Sequence, residues 1–136
     1  MEPPVLTFAN GLPGFPHDRR FVLVEWGDDG GEFALLRSLD NTDLQFVVAI
    51  AHGLFPDYAP EIDDGAVEAL GLRQAEDALL LAIVTVGEHV EDAIANLMAP
   101  IVVNIHTLAA AQVVLTDAPA ADLRRPLWRQ EVLVAS

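Results

Sequence analysis

Three short apolar runs lie close together in the second half of the chain: Ala78–Val86, Asn96–Asn104 and Ala111–Thr116. Each is rich in branched side chains and bounded by turn or breaker residues, a pattern that fits buried strands better than helices. Proline is tolerated at a strand's first residue, so Pro100 is expected to open its strand. Four more runs precede these: Val5–Phe8, Phe21–Trp26, Phe33–Ser38 and Gln45–Ile50. Strands separated by brief turns suggest a sandwich or barrel rather than alternating strands and helices.

The segments between the runs carry turn chemistry. Gly11-Leu12-Pro13-Gly14-Phe15 sets glycines around a proline, a tight corner with Leu12 and Phe15 expected in the core. Gly27–Gly31 supplies glycine and aspartate for a hairpin, and Leu39–Asp43 a second turn. The acidic pair Asp28-Asp29 lacks the ligand spacing of a calcium loop. Glu61–Leu72 reads as the one substantial helix, capped by Asp63 and ended by Gly71, with Val67 and Leu70 on one face. Gly87–Asp92 is a polar connection, Ile105–Ala109 turns the chain back, and Gln130–Val134 is expected as a last edge strand. The expected fold is mainly β: a small antiparallel single domain, residues 1–136, built as a sandwich or a β-barrel with one or two short helices.

Composition adds limits. At 136 residues the chain buries enough surface to fold without a staple, and it has no cysteine for disulfides or thiolate metal sites. No apolar run approaches a membrane span, and Met1-Glu2-Pro3-Pro4 does not open a signal peptide, so a cytoplasmic location is expected. The net charge is −14, and all seven basic residues are arginines. Such a surface repels a phosphate backbone, so no direct nucleic-acid binding is expected. Between Asp57 and Asp77 seven acids face one base, Arg73, for nearly half of the total charge. This stretch is either a solvated helix face or the docking side for a basic protein. Arg124, Arg125 and Arg129 concentrate base in the tail, which is expected to fold back on the acidic surface.

Catalytic chemistry is hard to find. His17, His52, His89 and His106 form no ligand-spaced pair, so no metal or cofactor is expected. The two serines, Ser38 and Ser136, sit in no nucleophile elbow. Carboxylates are plentiful, yet nothing pairs an acid with a base, and the chain does not read as an enzyme.

An ordered set of segments resembles the flagellar assembly factor FliW family. Phe8-Ala9-Asn10-Gly11-Leu12-Pro13-Gly14-Phe15 is similar to its N-terminal signature, and the likeness continues through Leu44–Val48, Phe55–Tyr58, Ile83–Val86, Asn96–Asn104 and Gln112–Leu115. The chain departs from the family at Ala51-His52, where Asp-Pro is usual, at Ala95, where threonine is usual, and at Ala120–Leu123, which lacks an aromatic. The resemblance implies a barrel-like cytoplasmic protein that binds flagellin and, once flagellin is secreted, binds the RNA-binding translational regulator CsrA and relieves repression of flagellin translation. The expected mechanism is partner switching without turnover.

The residues expected to contact partners are Phe55, Asp57 and Tyr58 of an aromatic loop, and Asn96 and Asn104 at the ends of the central run. For the two asparagines, capping of the strand ends fits equally well. A β-barrel binding a small ligand in its mouth is the alternative reading.

Overall fold

The computed structural model describes residues 3–25, 32–86, 88, 92–116 and 118–127. Within them the strands are β1 (Val5–Phe8), β2 (Arg20–Glu25), β3 (Phe33–Ser38), β4 (Gln45–Ile50), β5 (Ala78–Thr85), β6 (Ile94–Asn104), β7 (Ala109–Gln112) and β8 (Arg125–Pro126). The first seven close into a barrel, because β5 pairs with both β4 and β6, and β7 joins β6 to β1. Among the described residues every seam is antiparallel except β1 with β7, which run parallel through Thr7↔Ala109 and Phe8↔Ala110. The expected loop Gly27–Gly31 lies outside the described residues, as do His89 and the expected strand Gln130–Val134. The strands flanking that loop do pair, with Glu25 opposite Ala34.

Register sorts the side chains onto two faces, since residues directly opposite each other point the same way. Leu6↔Phe21, Leu81↔Ile101 and Val103↔Ala110 share the inner face. Phe8, Phe21, Leu36 and Val48 fill the interior and are fully buried. Phe8 and Phe21 meet edge to face at 5.3 Å. A second core lies outside the barrel wall, where Ala49↔Ala82, Val84↔Ala95 and Leu80↔Val102 look outward. Residues from 51–72 and 113–127 cover that face. Strands β5 and β6 are thus buried on both sides, whereas burial alternates along β3.

Pro100 does not open its strand. Strand β6 runs on both sides of it, and Pro100 is itself buried. The pairing explains how. Leu81 faces Ile101 and Ile83 faces Asn96, so Ala82 alone spans the four residues Leu97–Pro100. This irregularity suspends the ladder where proline has no N–H to give. The Pro100 and Met98 carbonyls instead accept from Val113 and Leu115 N–H on the other side, at 2.9 and 2.7 Å. Those two residues belonged to the expected strand Ala111–Thr116, whose observed strand starts and ends earlier, at Ala109–Gln112.

Two helices flank the wall. Helix α1 (Ala51–Leu54) is a single turn that the sequence pattern did not separate from the loop after β4. Helix α2 (Asp64–Leu70) is shorter than the expected Glu61–Leu72 but keeps both stops. Asp63 Oδ1 accepts from Ala66 N–H at 2.8 Å, and Gly71 turns left-handed at φ 68°.

The corner at residues 11–15 closes through reciprocal backbone bonds between Leu12 and Phe15. Leu12 is buried, but Phe15 is not in the core: it is 37% exposed and leans edge-on against Phe46 at 6.0 Å. Pro13 and Gly14 form the corner itself, with Gly14 at φ +85° as the third residue of a type II turn requires. A Cβ at Gly14 would meet nothing within 4 Å, so the cost of one is purely conformational. Gly14→Ala is expected to lose about 1–2 kcal/mol in urea unfolding. An unchanged midpoint would mean that the turn can relax.

Candidate functional site

The aromatic loop is built by local rules. Phe55 N–H donates to the Ala51 carbonyl and ends α1, and Tyr58 N–H then donates to the Phe55 carbonyl at 2.9 Å. Pro56 and Asp57 stand at the corner of that turn, so Asp57 projects to solvent while Tyr58 is carried inward. The Tyr58 hydroxyl reaches the Leu97 carbonyl at 2.5 Å, inside the irregular part of β6. Burial, with a smaller contribution from the Asp122 carboxylate, pushes its pKa up to about 12.

This loop is one wall of an open groove of about 1230 Å³. The other wall is the returning chain, from Leu115 through the 3₁₀ turn Ala120–Arg124 to Leu127. That strap is held to the barrel where β8 pairs with Ile94 and Ala95 of β6. Half-buried Phe55, Ile62 and Leu127 give the groove apolar surface. Asp57, Glu61, Asp63, Asp64 and Asp122 make it acidic, and Arg125 is the one base among the described lining residues. The Arg125 guanidinium lies 5.3 Å from the Phe55 ring centre and 3.0 Å from Asp122. The tail thus does fold back, as its arginines suggested. Its ion pair, however, stays within the strap and does not reach the acidic stretch from Asp57 to Asp77.

The five residues singled out from sequence fall in three places. Phe55, Asp57 and Tyr58 share the groove, Phe55 half-buried, Asp57 exposed and Tyr58 buried. Asn96 is half-buried in β6, and its Oδ1 accepts from Met98 N–H at 3.0 Å, a local turn that starts the irregularity around Pro100. Asn104 is 3% exposed at the far end of β6. Its Nδ2 donates to the Leu70 and Gly71 carbonyls at 2.8 and 3.4 Å, and its Oδ1 accepts from His106 and Thr107 N–H at 2.9 and 3.2 Å. Neither asparagine lines the groove. Sequence reasoning missed Ile62, Asp122 and Leu127 as groove residues, because only folding brings the strap beside the loop. The tail's arginines were the single legible hint.

Beside Asn104, Asp77 forms a second polar anchor. Its Oδ2 accepts from Arg73 and Gln74 N–H at 3.0 and 3.1 Å, and its Oδ1 accepts from His106 Nε2 at 2.9 Å. The Arg73 backbone bond, then His106, hold the carboxyl below its usual 3.8. A depressed carboxylate pKa contributes stability above the unfolded value, and that contribution is lost as pH falls through the folded one. Thermal stability is therefore expected to drop on acidification below pH 3.8. The drop should be smaller in Asp77→Asn, and equal slopes would rule this anchor out as a source of acid sensitivity. Among the described residues no group of three or more histidine or acidic side chains is placed to hold a metal ion. Every buried side-chain nitrogen and oxygen described has a hydrogen-bond partner. No described helix is long and apolar enough to cross a membrane.

Known proteins resemble this chain over most of its length. A family model described as "FliW protein" matches residues 1–127. A flagellar assembly factor FliW of Bacillus licheniformis is 41% identical over 116 residues, covering 85% of this chain and 80% of the relative. The protein of the same name from Clostridium novyi is 31% identical over 131 residues, covering 96% and 90%. A solved structure described as "Crystal structure of the flagellar assembly factor FliW" superposes with a TM-score of 0.85 at 32% identity, covering 93% of this chain and 87% of that one. On barrel topology, ordered segments and similarity over most of the chain together, this chain belongs to the FliW family.

Proposed function

We propose that this FliW-family chain is a cytoplasmic protein of flagellar assembly that works by being occupied, with no turnover. It holds flagellin. When flagellin is exported, the freed protein binds the translational regulator CsrA and relieves repression of flagellin translation. The observation that carries this reading is the family match across residues 1–127, to relatives named for flagellar assembly. The strongly acidic surface suits long-range attraction of a basic protein partner. Partner contacts are proposed at Phe55, Asp57, Tyr58, Asn96 and Asn104, with bracing of the frame as the second role of the two asparagines.

For the alternative reading, a small ligand in the barrel's mouth, the interior offers no depth, since Phe8, Phe21 and Leu36 are packed at 0% exposure. No feature of the interior favours it.

The test is calorimetry against purified flagellin, then CsrA, then both in competition. Saturable one-to-one binding of each, with one displacing the other, is the expected result. Binding of neither, or conversion of a substrate, would end the proposal.

A further inference from the structure

We infer that the groove between the aromatic loop and the strap seats an amphipathic protein helix with an apolar face flanked by lysine or arginine. The inference rests on the partner-binding reading above only in taking the occupant to be a protein segment. Size comes first. At about 1230 Å³ and open to solvent, the groove exceeds the roughly 300–1,000 Å³ typical of small-molecule sites. Its chemistry suits helix-in-groove binding, with apolar side chains from both walls beside exposed carboxylates on the loop wall. Phe55, Ile62 and Leu127 are the apolar side chains, at intermediate exposure, so each has surface left to bury.

The carboxylates fix the sign. Asp57, Glu61 and Asp64 are exposed and form no ion pair with a described residue. Arg125 does not neutralise them, because its guanidinium is already placed on Phe55 and Asp122. An incoming acidic segment or nucleic acid would meet uncompensated carboxylates, while lysine or arginine would meet partners along the loop wall, which carries Asp57, Glu61 and Asp64. Arg125 also fixes the width, since it ties the strap to the loop across the groove through the Phe55 ring.

The experiment titrates the intact protein with three synthetic helical peptides of equal length: one with a leucine face flanked by lysines, one with the same face flanked by glutamates, and one with the lysines but no leucine face. Only the first should bind saturably. The double variant Asp57→Lys, Glu61→Lys should weaken it at least about tenfold. The double variant Glu25→Lys, Asp43→Lys makes the same change of net charge at exposed residues that do not line the groove, and should retain nearly full affinity. Melting curves of both variants should match wild type, as expected of exposed substitutions. Equal losses in the two variants would reduce the effect to overall charge and overturn the inference. So would failure of the first peptide to bind, or wild-type affinity in the groove variant. The same proteins are then titrated with flagellin and CsrA. If the peptides behave as stated but neither protein binds, the partner reading fails and the groove assignment stands.

Discussion

Asn104→Ala is expected to lower stability by about 3 kcal/mol, the largest loss of any polar substitution proposed for this molecule. The side chain joins the end of α2 to the turn between β6 and β7 through four hydrogen bonds, at 3% exposure. Alanine leaves the Leu70 carbonyl without its 2.8 Å partner and frees two N–H groups of the turn. That turn also holds Leu108 at φ 65°, a left-handed backbone that a leucine adopts only when its surroundings impose it. Urea unfolding reads the loss. Asn96→Ala, which removes a single recorded bond at a half-buried site, should cost about 1 kcal/mol. A loss below that value at Asn104 would show that water replaces the network. Flagellin and CsrA titrations of the folded variant separate the two roles proposed for the residue. Affinity should be retained if Asn104 only braces the frame, and lost at full stability if it touches a partner.

Tyr58→Phe is expected to cost about 2 kcal/mol, because the Leu97 carbonyl then loses its donor in a buried setting. It should also change the response to alkali. Tyr58 titrates near 12 in the folded chain against 10.0 in the unfolded one. The folded state keeps its proton longer, so stability is intact below the unfolded value and declines as pH rises from 10 toward 12. In Tyr58→Phe that decline should be absent or much reduced. Tyr58 is the only tyrosine, so absorbance of the tyrosinate reports its titration directly. A midpoint near 10 would mean that the hydroxyl is not buried in solution.

Much of the architecture was legible in short-range signals. Asp63 and Gly71 marked the helix stops because capping depends on the atoms of a few neighbouring residues. The short branched apolar runs from Ala78 and from Asn96 marked strands, because strand preference is written in the residues of each run. Pro100 was misread as an opening residue because proline reports only its missing N–H. Whether the ladder needs that N–H depends on Ala82, a distant residue that faces four others across the seam. Phe15 was misplaced because apolar character does not say which side of a corner faces water.

The candidate site divides the same way. Sequence by itself determined the mainly β class, the acidic composition, the family likeness and the presence of a Phe-Pro-Asp-Tyr turn, since all of these follow from composition, ordered motifs or residues a few positions apart. Tertiary structure alone decided that Ile62, Asp122 and Leu127 border the same groove as that turn, and that the Asn104 side chain bonds the end of the helix. Such juxtapositions are made by closing the barrel and laying the strap across its outer face, and no local preference of the chain encodes which far residues then meet.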